Sequence, residues 1–361
     1  MATRTQSSFG GQLQSSEKTR QQISDLLESL GEDTPNRDII TRLISEVITI
    51  ARSKKDRLDL KIMNSALAEL NHAFDLFAPY RKVRKLTIFG SARTAPDEAS
   101  YQMAKELAGL ITANNWMVVT GGGPGIMAAG ISGAGANKAF GINISLPFEK
   151  PFLEPGGGVK LLEMKYFFTR KLMLMKESDA FASLPGGFGT LDETFELLTL
   201  MQTGKAQLAP LVLVEPEGMG YWEALEHFLQ SQASARGLIS DEDLKLYRVC
   251  HSAEEAEKEI IQFYANYHSL RWVGDDLILR LLRPPNEAMV DSINDRFSSL
   301  CSTGKIEVAS AHHVEISDDD NIDLYRLHFK FNRRSYAGLR SLIDFVNLDG
   351  LKEVEKKTEN S

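Results

Sequence analysis

Residues 116 to 130 read WMVVTGGGPGIMAAG. A short apolar run ends at Thr120, three glycines follow, and Pro124 stands where a helix opens, since proline suits a helix's first turn. Glycines let a backbone come close to a ligand, and the free N–H groups at a helix start attract an anion, commonly phosphate. Strand, glycine turn and helix in this order form one step of an α/β fold, and the chain repeats the step on both sides. KLTIFGS (85–91), FGINISLP (140–147), AFASLPG (180–186) and PLVLVE (210–215) are further short apolar runs. ASYQMAKELAGLITA (99–113) and TRKLMLMKE (169–177) between them carry the 3.6-residue period of helices. Buried strands alternating with helices predict a doubly wound, Rossmann-like parallel sheet covered on both faces. Ligands bind such sheets at the carboxyl edge of the strands, where Gly90, Gly121 to Gly123 and Gly186 to Gly187 fall together.

The bulk properties narrow the function. A chain of 361 residues with net charge −8 offers no electrostatic case for nucleic-acid backbone binding, and no apolar run is long enough to span a bilayer. Nucleic acid and membrane are therefore not expected partners. Two cysteines, Cys250 and Cys301, and an N-terminus without an apolar signal core predict a cytoplasmic location.

Four segments are expected. Residues 1–80 form an N-terminal tail and helical region, where Ile23, Leu26, Leu27 and Leu30, then Ile40, Leu43, Ile44 and Val47, recur at helical spacing. Residues 81–268 form the Rossmann-like domain. Residues 269–350 change pattern: DLILRLLR, NEAMVDSINDRFSSLC, KIEVASA, LYRLHFKF and SYAGLRSLIDFVN read as β-α-β-β-α, a small separate α+β domain close to a split ferredoxin-like unit. Residues 351–361 are a charged tail.

The second glycine loop, PGGFGTLDE at 185–193, places Thr190 at a helix start with Asp192 and Glu193 in its first turn. Two structural turns, a mononucleotide phosphate site and a dinucleotide site all fit the loops. The dinucleotide reading uses Gly123-x-Gly125-x-x-Ala128 with Glu149 21 residues on. Glycine backbone and the Thr190 hydroxyl suit phosphate, whereas a carboxylate beside phosphate is costly unless it faces another part of the ligand. The economical arrangement aims Glu193 at sugar hydroxyls or at the bond to be broken. In KYFFTRKLMLM (165–175), Arg170 and Lys171 open a helix that leads toward the same sheet edge. His312 and His313 precede DDD at 318–320, but neighbouring histidines on a strand face opposite ways and the acids read as a solvated loop, so no metal site is expected.

With FGSART (89–94), TGGGPGIM (120–127), LPFEK (146–150), YFFTRK (166–171), PGGFGTLDE (185–193) and LLTLMQTGK (197–205), the chain resembles the LOG family over roughly Ala78 to Leu246. These are nucleoside 5′-monophosphate phosphoribohydrolases, once mislabelled lysine decarboxylases, and the closer likeness is to their longer bacterial branch. The resemblance implies Arg170 and Glu193 as the catalytic pair. It implies phosphate and ribose contacts at Gly121, Gly122, Gly123, Gly125, Gly187, Gly189 and Thr190, with Ser91, Arg93, Lys171 and Asp192 as candidate pocket residues. It further implies hydrolysis of AMP or a modified AMP, such as a cytokinin riboside monophosphate, to free base and ribose 5-phosphate. No cofactor is implied, and a homodimer or higher homo-oligomer is. The chain departs from the family at Ala128 to Ile131, where Glu-Ala-Ala-Asn is usual, and after LPFEK, where PFLEPGGGVKLLEM stands. Those departures favour an alternative, a nucleotide-binding sensor or regulatory protein without turnover. An NAD-dependent oxidoreductase lacks a catalytic His or Tyr constellation, and no lysine has a recognisable pyridoxal phosphate context.

Overall fold

The computed structural model of the chain describes residues 17–29, 31, 36–145 and 158–358. LPFEK, with Glu149, and residues 151–157 of the stretch after it lie outside the described residues, as do the N-terminal 1–16. Two compact units divide the chain, Met1–Ala68 and Glu69–Ser361. In the first, α1 (Glu17–Ser29) and α2 (Arg37–Arg52) are tied by Arg37 and Arg52, whose guanidinium groups donate to Ser24 and Thr19, and α3 (Arg57–Phe77) begins there.

The second unit carries two sheets. Its first part runs β1 (Lys85–Phe89), α4 (Ala99–Ala113), β2 (Met117–Thr120), α5 (Ile126–Ala134), β3 (Ala139–Ile144), β4 (Lys160–Met164) and α6 (Phe167–Lys176). It continues with β5 (Ala180–Ser183), α7 (Phe188–Gln202), β6 (Leu211–Val214), α8 (Tyr221–Phe228), β7 (Arg248–Cys250) and α9 (Ala253–Phe263). The seven strands are all parallel, in the order β4-β3-β2-β1-β5-β6-β7. The chain winds outward from β1 to β4, then returns to place β5 on the other side of β1. That reversal opens a crevice at the carboxyl ends of β1 and β5, the usual ligand site of an open α/β sheet. The fold is the doubly wound one expected. β1, β2, β5 and β6 are buried along their whole length because helices cover both faces. Leu107, Ile111, Ile126 and Ile260 pack one face, and Met173, Leu174, Leu197 and Trp222 the other.

The second sheet follows: β8 (Tyr267–Val273), β9 (Asp276–Leu281), α10 (Glu287–Phe297), β10 (Cys301–Val308), α11 (His313–Ser317), β11 (Tyr325–Phe331) and α12 (Tyr336–Thr358). Its order is β10-β11-β9-β8, every pair antiparallel. β11 lies between β9 and β10, which α10 connects, and this is the split ferredoxin-like unit. β8, which the sequence pattern did not show, takes the outer position. Two details differ from expectation. Leu277, Leu279, Phe329 and Ile343 belong to the same buried cluster as Phe140, Phe181 and Leu213, so the small sheet shares its core with the large one. α12 continues to Thr358, into the segment read as a charged tail.

Candidate active site

Three turns meet in the crevice. After β2, Thr120 Oγ1 accepts a hydrogen bond from the Gly122 N–H at 3.1 Å. Gly122 and Gly125 have φ of +71° and +67°, the left-handed region that favours glycine. A Cβ at Gly122 would also lie 1.9 Å from the end of the Asn143 amide, and one at Gly125 2.3 Å from the Ser91 carbonyl. The Ile126 N–H donates to the Ser91 carbonyl (3.0 Å) and the Ser91 N–H to the Pro185 carbonyl (3.3 Å). The turns after β1, β2 and β5 are thereby stitched to one another. With its amide turned to suit its neighbours, Asn143 at the end of β3 donates to the carbonyls of Gly121 and Gly122, 3.0 Å each.

Both glycine turns lead into helices whose N-caps, Gly125 for α5 and Gly187 for α7, supply no side-chain acceptor. Unfilled N–H groups at a helix start are an anion-binding arrangement. Gly187 and Gly189 are exposed, and a Cβ on either would meet nothing within 4 Å, so this rim is open. Thr190 is buried beneath the turn, its hydroxyl 2.3 Å from where a Gly186 Cβ would lie.

Arg170 and Glu193 come together. Arg170, on α6, is 9% exposed; its Nε donates to the Ile142 carbonyl at 2.8 Å and its Nη2 to the Gly121 carbonyl at 3.5 Å. Its Nη1 stands 3.4 Å from Glu193 Oε1. One guanidinium thus ties the ends of β2 and β3 to the first turns of α7, as its planar fork permits. Burial pushes the Glu193 carboxyl up to about 7, and the neighbouring Arg170 charge offsets only part of that. Burial also lowers the pKa of Arg170. Both partners feel desolvation above their mutual attraction, as in other buried ion pairs.

The remaining expected residues are less central. Lys171 is engaged by Asp192 (3.0 Å) and Glu196 (2.6 Å), which joins α6 to α7. Ser91 Oγ accepts from the Arg93 N–H at 3.0 Å, and the Arg93 side chain is exposed. Ala129, Gly130 and Ile131 are buried on the inner side of α5, and a Cβ at Gly130 would sit 3.0 Å from Thr120 and 3.3 Å from Ile88. That part of the departure from the family pattern therefore serves packing on the sheet.

Four contributors carry no signal in local sequence. Glu69 accepts from Thr169 Oγ1 (2.6 Å) and the Lys165 N–H (3.0 Å), which fixes the start of α6 beside Arg170. Tyr221 donates its hydroxyl to the Gly186 carbonyl at 2.6 Å. Glu215, fully buried, accepts the N–H groups of Tyr221, Trp222 and Glu223 and so anchors α8. Asn143 is the fourth.

Glu215, Glu223 and His251 bring ligand atoms within 4.8 Å of one another, but both Glu215 oxygens are occupied by those N–H groups. His312 and His313 are not on a strand: the His312 Nδ1 accepts from the Val314 N–H and caps α11. Nor is the acidic run after them a merely solvated loop. Asp318 and Asp320 pair with Arg271, and Asp320 also pairs with Arg280, whose other partner is the fully buried Glu315. Cationic side chains of the sheet hold these acids in place. Among the described residues no helix is long and apolar enough to cross a membrane.

The family described as possible lysine decarboxylase matches residues 103–260. A probable cytokinin riboside 5′-monophosphate phosphoribohydrolase of Arabidopsis thaliana is 33% identical over 148 residues, 40% of this chain and 71% of that protein. The cytokinin riboside 5′-monophosphate phosphoribohydrolase of Mycobacterium tuberculosis is 30% identical over 131 residues, 36% of this chain and 68% of that protein. Another from Arabidopsis thaliana is 28% identical over 194 residues, 52% and 88% of the two chains. With the glycine turns and the Arg170–Glu193 pair in the crevice of a doubly wound sheet, these likenesses place the chain in one family: it belongs to the LOG family.

Proposed function

We propose that the chain is a hydrolase that cleaves the N-glycosidic bond of a nucleoside 5′-monophosphate, AMP or a modified AMP such as a cytokinin riboside monophosphate. The products are the free base and ribose 5-phosphate. The observation that carries this reading is the buried Glu193 carboxyl, held 3.4 Å from Arg170 in the turn that follows an uncapped helix start.

The phosphate lies at the glycine turns, where Gly121, Gly123, Gly125 and Gly187 to Thr190 offer N–H groups and helix N-termini. The ribose then reaches toward Glu193. Breaking the bond builds positive, oxocarbenium character at C1′, which a nearby carboxylate stabilises. In its ionised form Glu193 also takes a proton from the attacking water. The water oxygen bonds to C1′, the C1′–N bond breaks, and its electron pair leaves on the base, which picks up a proton. Arg170 positions the carboxylate and both loops. Of five guanidinium N–H groups it commits three to Ile142, Gly121 and Glu193, leaving two for ligand oxygens.

Homodimerisation fits the exposed aromatic face beside the pair: Phe167, Phe168 and Phe188 are 57%, 55% and 93% exposed. Two free thiols, Cys250 and Cys301, fit a reducing compartment such as the cytoplasm. The test is incubation with a panel of nucleoside monophosphates and chromatography of the products. Free base and ribose 5-phosphate from at least one of them support the reading; binding without release from any would end it.

A further inference from the structure

A second cavity, of about 890 Å³, lies away from the glycine turns. Arg84, Asp179 and Ala209 line it, and each stands just before β1, β5 or β6, so it opens at the amino edge of the parallel sheet; the catalytic pair is at the carboxyl edge. Tyr267, His268 and Ser269 of β8 contribute from the antiparallel sheet. Its volume is that of a small-molecule site, roughly 300–1,000 Å³.

Its charge runs against that of the chain. In a protein of net charge −8, Arg81, Lys82, Arg84, Lys176 and Lys205 line this cavity, and Asp179 is the one carboxylate among its lining residues. Lys176 is neutralised by Glu177 at 2.5 Å. Arg84 lies 3.6 Å from the centre of the Tyr264 ring and is held in place by it. Among the described residues, the side chains of Arg81, Lys82 and Lys205 have neither a hydrogen bond nor an ion pair. Asp179 accepts from the Lys85 N–H, and burial pushes its carboxyl upward. Leu172, Phe181, Leu197 and Leu200 supply apolar wall between the cations.

We propose that this cavity is a second ligand site, separate from the catalytic crevice, that takes an anionic metabolite bearing two or more phosphate groups on an apolar or planar body. Three unpaired cations call for several negative charges on one ligand, and the apolar wall for a body that leaves water with it. The site has a physical line to the catalytic pair. α6 carries Arg170 and, further along, Met175 of the cavity wall; α7 carries Glu193 and then Leu197 and Leu200. An occupant touches both helices whose spacing sets the Arg170–Glu193 separation, and this is how differential binding at one site biases another.

Calorimetric titration of the full chain with sodium tripolyphosphate tests the anion site whether or not the protein hydrolyses nucleotides. The triple variant Arg81→Ser/Lys82→Ser/Lys205→Ser changes exposed side chains only, and unchanged circular dichroism confirms its fold. Expected are saturable binding that weakens with added salt, at least a tenfold loss of affinity in the variant, and hydrogen-exchange protection of residues 203–209 and 264–269. Absence of heat at millimolar probe, equal affinity in the variant, or protection confined to residues 121–125 and 186–190 would each overturn the proposal.

Discussion

Replacing Glu193 by Gln should change how the stability of the protein depends on pH, by an amount the burial of that carboxyl sets. The group titrates near 4.5 in an unfolded chain and at about 7 when folded. Between those values the folded state holds a proton that the unfolded state has lost, so stability falls as the pH rises. The contribution is fully present below pH 4.5, declines through pH 7, and by pH 8 amounts to a loss of about 3 kcal/mol at about 1.36 kcal/mol per pH unit. The amide of the variant cannot titrate. At pH 4.5 residue 193 is uncharged in both folded proteins, so the two differ there only by amide for acid, and the other acids and histidines cancel in the comparison. Urea unfolding of both proteins at pH 4.5, 6, 7 and 8 measures the difference. Stability of Glu193→Gln relative to wild type should climb with pH by up to about 3 kcal/mol. A difference that stays flat across the series would refute the claim that burial outweighs the Arg170 charge at this carboxyl.

The same titration should govern catalysis: kcat/KM for the preferred nucleotide falls tenfold per unit below pH 7 and levels off above it, because the ionised carboxylate is the working form. An activity that rises toward acid would assign Glu193 the opposite role, that of proton donor. Gly122→Ala must place a side chain at φ +71° against Asn143, so a loss of about 1–3 kcal/mol and a raised KM are expected from thermal melts and initial rates. Tyr221→Phe removes the hydroxyl that holds the Gly186 carbonyl, at a cost of about 1 kcal/mol, and should raise KM while sparing kcat. An unchanged KM would separate Tyr221 from the proposed phosphate contacts of the Gly186–Thr190 turn. On the proposed homodimer, light scattering should give a dimer for wild type and a monomer for Phe168→Asp; a monomeric wild type would remove the dimer, and a dimeric variant would move the interface elsewhere.

Legibility in the sequence followed burial. β1, β2, β3, β5 and β6 stand out because each is a short apolar run that ends in glycine, proline or an acid and lies inside the sheet. β4 and β7 do not, since they are the edge strands: Lys160–Met164 is mostly half-exposed and mixes charge with leucine, and Arg248–Cys250 is three residues long. β8 reads YHSLRWV, with one fully buried residue, and lacks the alternation that would mark a strand. At the site, Arg170 and Glu193 were legible through their motifs, each on one strand-turn-helix step. Glu69 and Tyr221 were not, because they act across 100 and 35 residues of chain and only the folded sheet brings them to Thr169 and Gly186. The acids at 318–320 misled for the same reason, as their partners Arg271 and Arg280 lie on strands 40 or more residues earlier.

The most direct measurement is release of adenine and ribose 5-phosphate from AMP at pH 8 by wild type and by Glu193→Gln, with AMP binding followed in parallel by calorimetry. Wild type should release equal amounts of both products, the variant none that is detectable, and both should bind AMP. Full release of adenine by Glu193→Gln would contradict the role given to Glu193.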